Sequence, residues 1–142
     1  MKAVFFTDID GTLIDHNDYS YEKSLPGMDM LERHFIPLIA VSSKTFDEMS
    51  ILMKELHRNY PFAFENGSGI AYPLERDGGF NLELRGPGVE NLAGFLPEME
   101  KFSGKTLRAI TSLSEKEIAE LTGLGPDYAA LAKKRKTTLP FI

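Results

Sequence analysis

The first 65 residues alternate between short apolar runs and helical patterns, and this alternation limits the possible folds more than any other feature. Residues 2–7, 36–41 and 62–64 form apolar runs of the length typical of buried strands. Between the runs, apolar residues recur every three or four positions, as in amphipathic helices: Leu25, Met28, Leu31 and Phe35, then Phe46, Met49, Met53 and Leu56. The order strand, helix, strand, helix, strand predicts a parallel sheet with right-handed crossovers.

The pattern changes after residue 70. Two apolar segments on either side of Asp77-Gly78-Gly79 predict a β-hairpin, and Gly86-Pro87-Gly88 then interrupts the chain. The remaining predicted elements are helices over 89–101, 114–123 and 126–134 and strands over 106–110 and 137–142. We therefore expect two domains, an α/β core over residues 1–86 and a smaller α+β domain over residues 87–142.

Two aspartates follow the first predicted strand directly, in the segment Asp8-Ile9-Asp10-Gly11-Thr12-Leu13. The carboxyl ends of parallel strands border the crevice in which α/β sheets bind ligands. Two carboxylates this close together need a cation or a shared proton to relieve their repulsion. Gly11 permits the abrupt turn, and Thr12 can hydrogen-bond locally. Asp and Gly are also common in ordinary solvated turns, but the position after an apolar strand favours a functional site.

Polar residues also follow the second predicted strand, as Ser42-Ser43-Lys44-Thr45. Hydroxyls, a lysine and the unpaired N–H groups of the next helix gather there, which is typical of an anion site. Thr45 and Glu48 have the spacing of a capping box. The alternative is that Ser43 or Thr45 only caps the helix and that the lysine is solvated. Because the segment is predicted at the same sheet edge as Asp8, an anion site is favoured.

The composition excludes several classes of protein. The 142 residues include no Cys, which rules out disulfides, thiolate zinc sites and cysteine nucleophiles. The formal net charge of −5 argues against a nucleic-acid binder. No apolar stretch approaches the roughly 18 residues of a membrane span, and residues 1–4 lead into a strand-like run rather than a signal peptide. We expect a soluble, cytoplasmic protein without nucleic-acid or membrane partners.

The segment that begins at Asp8 resembles the first signature of the haloacid dehalogenase superfamily, which consists largely of Mg²⁺-dependent phosphatases. The resemblance implies a Rossmann-like parallel-sheet core with a mobile cap, and hydrolysis of phosphomonoesters through an aspartyl-phosphate. It makes Asp8 the nucleophile and Asp10 the general acid and base, with both as ligands of Mg²⁺. The second signature of the superfamily, a strand-end Ser or Thr that binds the phosphoryl group, corresponds to Ser42.

The segment Ser42-Ser43-Lys44-Thr45 resembles the mannosyl-3-phosphoglycerate phosphatases in particular, because the wider class commonly has Thr-Gly-Arg there. The turn Glu65-Asn66-Gly67 and parts of residues 121–141 are also similar to that family. The implied substrate is mannosyl-3-phosphoglycerate or a related sugar-linked phosphoglycerate, and the sequence does not choose the sugar. The substrate contacts that the resemblance implies are Gly11, Thr12, Ser43, Lys44, Glu65, Asn66 and Gly67.

Two further signatures of the superfamily are missing: a lysine that steadies the phosphoryl charge, and Gly-Asp-x-x-x-Asp, which supplies metal-binding carboxylates. Gly125-Pro126-Asp127 is the nearest match to the second, and Leu139 stands where we expect an acidic residue. The basic run at residues 133–136 is predicted to be a solvated helix end. We expect an incomplete core with the start of a cap, weak Mg²⁺ binding, and an open sheet edge covered by a second copy or by a missing C-terminal part.

Two other interpretations remain. A chain that kept the core but lost the distal lysine and carboxylates would be a catalytically silent phosphate-binding or interaction module. A receiver domain also carries a strand-end aspartate on a parallel sheet. Its acceptor lies on a later strand, however, so the position of Asp8 after the first strand argues against a receiver.

Overall fold

The computed structural model describes residues 3–15, 18–75 and 78–142. Its strands are β1 (Phe5–Asp8), β2 (Leu38–Val41), β3 (Phe62–Phe64), β4 (Gly69–Pro73) and β5 (Phe80–Leu84). Its helices are α1 (Leu25–Arg33), α2 (Phe46–Glu55), α3 (Val89–Ala93), α4 (Leu96–Ser103), α5 (Glu115–Thr122) and α6 (Pro126–Ala132). Short 3-10 turns cover Glu65–Gly67 and Ile110–Ser112. Asp77, part of the predicted hairpin turn, lies outside the described residues.

The five strands of the described residues form one sheet in the order β1-β2-β3-β4-β5. β1, β2 and β3 run parallel, as the alternation predicts, and the hairpin β4-β5 extends the sheet with antiparallel strands. In this register Asp8 lies opposite Val41, and Val41 lies opposite Ala63. The carboxyl ends of the three parallel strands therefore meet at one edge. The predicted α/β core, still incomplete, is confirmed.

The main core lies where α1 and α2 pack on this sheet. Phe46, at the start of α2, contacts the rings of Phe62, Phe64 and Phe80, with ring centroids 5.7 to 5.9 Å apart. Phe62 and Phe64 are completely buried. The turns that follow β2 and β3 consequently rest on closely packed aromatic rings. A second, smaller cluster joins α5 to α6 and consists of Leu113, Ile118, Ala129 and Ala132.

β1 is an outer strand of the sheet, and the prediction that residues 2–7 form a buried strand is wrong for the part that is described. Val4, Phe5 and Phe6 are 51%, 51% and 63% exposed. The reason is that, among the residues the structure describes, β1 has only β2 as a neighbour. In this part of the chain the expected open edge is therefore present, and it runs directly to Asp8.

The capping-box predictions are confirmed, whereas the single helix predicted over residues 89–101 is wrong. Thr45 caps α2 and Ser114 caps α5, each with reciprocal hydrogen bonds to the Glu three residues later. The long helix is instead divided into α3 and α4 at Gly94. Pro97 in the first turn of α4 explains the division, because proline lacks the N–H that a continuous helix requires.

The C-terminal strand predictions reduce to a single antiparallel bridge between Ala109 and Phe141. Arg108 and Ile142 exchange backbone hydrogen bonds of 2.9 and 3.0 Å beside it. This short pairing ties the end of the chain to the loop after α4. No helix among the described residues is long and apolar enough to cross a membrane. The division into domains after residue 86 stays a prediction.

Candidate active site

The turn after β1 carries Asp8 and Asp10. Asp8 is the last residue of β1, and Ile9 behind it is completely buried. The Ile9 carbonyl accepts hydrogen bonds from the N–H groups of residues 12–14 at 3.0 to 3.2 Å, which closes the turn. Gly11 has a φ of +76°, a left-handed value that glycine adopts without strain. Both aspartates are thereby exposed at the carboxyl edge of the sheet.

The segment after β2 folds back on its own polar groups. Ser42 is only 4% exposed, and its hydroxyl accepts a hydrogen bond from the Lys44 N–H at 3.2 Å. The Ser42 N–H donates to the Ala63 carbonyl of β3 at 3.1 Å. The Thr45 hydroxyl accepts from the Glu48 N–H at 3.3 Å, and the Glu48 carboxylate accepts from the Thr45 N–H at 2.8 Å. The positive end of the α2 dipole therefore lies at the same edge as the two aspartates.

An ion pair joins these two turns. Lys44 Nζ lies 2.8 Å from Asp10 Oδ1, and the lysine side chain is only 17% exposed. The structure thus brings together the aspartate turn and the polar turn, as the parallel strands predict. The partly buried Lys44 ammonium next to the start of α2 is a charged hydrogen-bond donor, which suits a phosphoryl group.

The turn Glu65–Gly67 follows β3 and borders the same edge. Its three residues have φ values of +49°, +61° and +86°, which are uncommon for residues other than glycine. Two backbone hydrogen bonds of 2.9 Å hold this turn: the Glu65 N–H donates to the Lys44 carbonyl, and the Asn66 N–H donates to the Ser42 carbonyl. Asn66 is exposed here, and the glycine after it is half-buried.

The Glu65 side chain is completely buried and is bound by a later part of the chain. Its Oε1 accepts the Lys136 N–H at 2.8 Å, and its Oε2 accepts the N–H groups of Thr137 and Thr138 at 2.9 and 2.7 Å. Burial raises the pKa of Glu65, but these hydrogen bonds lower it by more, so its pKa lies below the usual value. The structure brings this carboxylate to residues 136–138, and its contact with substrate stays a prediction.

The basic run at residues 133–136 is a solvated helix end only in part: Lys134 is exposed, whereas Arg135 and Lys136 contact earlier parts of the chain. Arg135 Nη1 donates to the Ser43 carbonyl at 2.7 Å. Lys136 Nζ lies 5.7 Å from the centroid of the Phe46 ring, within the range of a cation–π contact. Sequence reasoning missed this approach because the partner of Arg135 lies 92 positions earlier, far outside any local pattern.

Several other predicted substrate contacts lie exposed near the edge. Gly11, Thr12, Ser43 and Asn66 are all exposed. Gly11 and Thr12 line an opening of about 280 Å³ on the side of the aspartate turn. Their contacts with substrate stay predictions, since exposure makes them accessible but does not identify a ligand.

A pocket of about 270 Å³ opens beside Lys44. Tyr19, Tyr128 and Glu55 lie on its walls, and residues 123–125 border it from the C-terminal half of the chain. Burial raises the pKa of Tyr128, and the Glu55 carboxylate raises it further. A phenol is protonated near neutral pH even at its ordinary pKa, so Tyr128 can donate a hydrogen bond at this pocket.

Asp8 and Asp10 are the predicted metal ligands. The Asp8 carboxylate and the Asp10 backbone carbonyl match Mg²⁺ in chemistry, because this ion prefers hard oxygen ligands and requires few of them from the protein. Within residues 3–15, 18–75 and 78–142, no three acidic or histidine side chains lie close enough together to hold a metal ion. These two oxygen donors therefore fit Mg²⁺ in kind, and only one of them is a carboxylate.

Two curated proteins are similar to almost all of this chain. The glucosyl-3-phosphoglycerate/mannosyl-3-phosphoglycerate phosphatase of Methanococcoides burtonii is 35% identical over 96% of the chain, and the protein of the same name from Persephonella marina is 35% identical over 98%. The chain is a homologue of these phosphatases. It spans 54% of the length of each of them. No protein-family model matches the chain.

Solved structures with the same fold include a haloacid dehalogenase-like hydrolase from B. subtilis, with a TM-score of 0.58 and 12% identity over 94% of this chain and 51% of that one. The protein TM0651 from Thermotoga maritima has a TM-score of 0.63 and 24% identity over 100% of this chain and 57% of its own. At such identities the likeness concerns the fold alone. The homologue of the phosphoglycerate phosphatases thus has a haloacid dehalogenase-like fold, and the resemblance that its motifs indicate is confirmed.

Proposed function

We propose that this chain carries the phosphoryl-transfer part of a cytoplasmic, Mg²⁺-dependent phosphomonoesterase that works through an aspartyl-phosphate. The ion pair of 2.8 Å between Lys44 and Asp10 is the observation that supports this most directly. It joins the turns after β1 and β2, so that two carboxylates and an anion-binding helix start share one edge of the sheet. The names of the homologous phosphatases support the same class of reaction.

The reaction would proceed in two displacements at phosphorus. In the first, a carboxylate oxygen of Asp8 attacks phosphorus, and the bond to the ester oxygen breaks. Asp10, protonated and released from Lys44 at this step, gives its proton to that oxygen, which leaves as an alcohol. In the second, the Asp10 carboxylate takes a proton from a water molecule whose oxygen attacks phosphorus, and the bond to Asp8 breaks. Inorganic phosphate leaves, and both aspartates regain their initial protonation states.

The phosphoryl oxygens would be held by the turn after β2. The Ser42 hydroxyl and those N–H groups of the first turn of α2 that the capping box does not use would donate hydrogen bonds to them. Lys44 offsets part of their negative charge from its place beside Asp10. Mg²⁺, held by Asp8 and Asp10, would reduce the repulsion between the attacking carboxylate and the phosphoryl group.

We propose a sugar-linked 3-phosphoglycerate as the substrate, the class that the names of the homologues state. Such a molecule carries a phosphate, a carboxylate and a sugar ring. Lys44 and Arg135 both lie next to Ser43 and supply two cations for the two anionic groups. The aromatic side chains Tyr19 and Tyr128 give the neighbouring pocket surfaces on which a sugar ring can pack.

We also propose that further polypeptide covers the free edge of β1. Phe5 and Phe6 are 51% and 63% exposed there, next to backbone groups that a further strand could pair with. The cover would come from a second copy of this chain or from a segment that the longer homologues have, since the chain spans 54% of their length. Sedimentation equilibrium separates the two sources: a dimer supports the second copy, and a monomer refutes it.

Phosphate release tests the proposed activity. It is measured with mannosyl-3-phosphoglycerate and with an aryl phosphate, each with and without Mg²⁺. Asp8→Asn keeps the size of the side chain but removes the nucleophilic carboxylate, so we expect it to abolish release. Asp127→Asn, at an exposed position in the first turn of α6, is the matched control and should retain activity. Undiminished release by Asp8→Asn would refute the assignment of the nucleophile.

A catalytically silent phosphate-binding module is the second candidate. The observation that favours it is that, in the described part of the chain, Asp8 and Asp10 belong to no cluster of three possible metal ligands. Such a module would bind inorganic phosphate but release none from esters at any Mg²⁺ concentration. Calorimetric titration with phosphate, performed beside the release assay, distinguishes the two candidates.

A further inference from the structure

The chain leaves the sheet after β5 and returns to it at residues 131–138, and both segments lie beside the Glu65 turn. The chain leaves β5 through Arg85, whose N–H donates to the Ser68 carbonyl at 2.8 Å. A Cβ added at Gly86 would lie 3.0 Å from Thr137 Cβ, so the outgoing chain runs directly against the returning one. The hydroxyls of Ser68 and Thr137 lie 2.6 Å apart at this junction. Residues 131–138 therefore return to the place where the chain left the sheet.

The Glu65 carboxylate fastens this returning segment. It accepts the N–H groups of residues 136–138 at 2.7 to 2.9 Å. It also accepts the hydroxyls of Thr138 and Thr137 at 2.8 and 3.3 Å. Three successive backbone N–H groups and two hydroxyls thus converge on one completely buried side chain. A neutral side chain of the same shape would leave part of this anion-binding nest unsatisfied.

The backbone of the Glu65 turn holds the predicted anion-binding turn, residues 42–45. Its two successive N–H groups donate to the carbonyls of Lys44 and Ser42, each at 2.9 Å. The side chain of Glu65 therefore binds the returning segment, and its backbone binds the turn that carries the predicted phosphate contacts.

The returning segment also contacts residues 42–45 directly. Arg135 Nη1 donates to the Ser43 carbonyl at 2.7 Å. The Thr45 hydroxyl lies within hydrogen-bond distance of the Leu131 carbonyl, at 3.2 Å. Each of the four residues of the anion-binding turn is thus bonded either to the Glu65 turn or to the segment that Glu65 fastens.

We propose that Glu65 is a positioning residue that couples the segment 131–138 to the anion-binding turn 42–45, so that the turn binds phosphate fully only while the segment is fastened. The inference rests on the proposed function in one respect, namely that the turn binds a phosphoryl group. Because coupling between two sites is reciprocal, phosphate bound at the turn should also hold the segment in place. This role differs from the direct substrate contact that the sequence predicts for Glu65.

The rate of trypsin cleavage measures how firmly the segment 131–138 is held, and the affinity for inorganic phosphate measures anion binding at the turn 42–45. Glu65→Gln keeps the shape of the side chain and removes its charge. We expect this variant to be cleaved within residues 133–136 about tenfold faster and to bind phosphate about tenfold more weakly, the effect of losing one charge-assisted hydrogen bond. Glu117→Gln is the matched control, because Glu117 also accepts backbone and hydroxyl hydrogen bonds, in the capping box of α5. It should match the wild-type chain in both assays.

Reciprocity separates positioning from simple destabilisation. In the wild-type chain, saturating phosphate should slow cleavage within residues 133–136. In Glu65→Gln this protection should be lost at a temperature where circular dichroism shows both proteins folded. Thr138→Val removes one hydroxyl donor to Glu65 at 2.8 Å and serves if Glu65→Gln does not fold. It should shift cleavage and phosphate affinity in the same direction by a smaller factor.

Each outcome decides the matter. Cleavage rates or phosphate affinities equal to those of the wild-type chain, in the variant that folds, would overturn the positioning role of Glu65 and leave the proposed function standing. Failure of the wild-type chain itself to bind phosphate would overturn the proposed function, and the positioning role with it. The two failures are distinguishable because only the second affects the wild-type chain.

Discussion

The Phe64 ring lies directly against Gly69, where an alanine should destabilise the protein. An added Cβ would lie 2.1 Å from Phe64 Cζ and 2.3 Å from Cε2. The Phe64 ring has little room to move, because it is completely buried and packs on Phe46 and Phe62 with centroids 5.7 and 6.3 Å away. Overpacking costs about 1–3 kcal/mol, and so close a contact favours the upper end of this range.

The net effect of Gly69→Ala follows from two opposing contributions. Alanine reduces the conformational freedom of the unfolded chain, and this stabilises the folded protein by about 0.4–1 kcal/mol, which offsets part of the overpacking cost. We therefore expect a net loss of about 2 kcal/mol in the free energy of unfolding, which lowers Tm by about 4–8 °C in a chain of this length. Gly79→Ala is the matched control, since its Cβ would meet only Leu74 Cδ1 at an ordinary 3.7 Å. Thermal unfolding followed by circular dichroism measures both variants.

A Tm for Gly69→Ala within about 1 °C of that for Gly79→Ala would refute the argument, because the clash would then be relieved without cost. The double variant Phe64→Leu with Gly69→Ala provides a second check. Leucine vacates the space that the alanine Cβ enters, so the double variant should lose less stability than the sum of the two single variants.

The remaining predictions concern charges at the site. Lys44→Met breaks the ion pair with Asp10. Because the pair is partly exposed, we expect the free energy of unfolding to change by only about 0.5 kcal/mol. Phosphate binding, measured by calorimetry, should be about tenfold weaker. Unchanged affinity would contradict the phosphate role of Lys44. The fold lowers the pKa of Glu65 from its usual 4.5, so its stabilisation is complete above that pH and is lost as the pH falls through the folded-state pKa. Urea unfolding between about pH 7 and pH 3 should show a larger acid loss for the wild-type chain than for Glu65→Gln, and equal losses would argue against this contribution.

Local patterns predicted the elements that position the site. Apolar periodicity identified β1, α1, β2, α2 and β3 because it reflects which faces of successive elements are buried. The capping box of Thr45 depends only on a residue three positions later, and the structure contains it. Because the strands are parallel, the turns after β1 and β2 are predicted to lie at the same edge of the sheet. The ion pair between Lys44 and Asp10 confirms that these two turns are in contact.

Other features could not be predicted from the same patterns. The apolar residues of β1 predict a buried strand, yet Phe6 is 63% exposed. The reason is that the burial of a strand depends on which other strands lie beside that strand. The break between α3 and α4 has a local signal in Pro97, but the prediction of a single helix rested on apolar spacing and did not use it.

The sequence by itself determined the parallel direction of β1, β2 and β3, the two strand-end turns and the family to which their motifs point. Only the tertiary structure decided what the Glu65 carboxylate binds. Its donors on Lys136 and Thr138 lie 71 and 73 positions away, and Arg135 lies 92 positions from its partner. Periodicity and capping act between neighbours and can be read locally. A buried carboxylate requires hydrogen-bond donors, and these can come from any segment that the fold brings beside it. Which segment comes there depends on the packing of the whole chain.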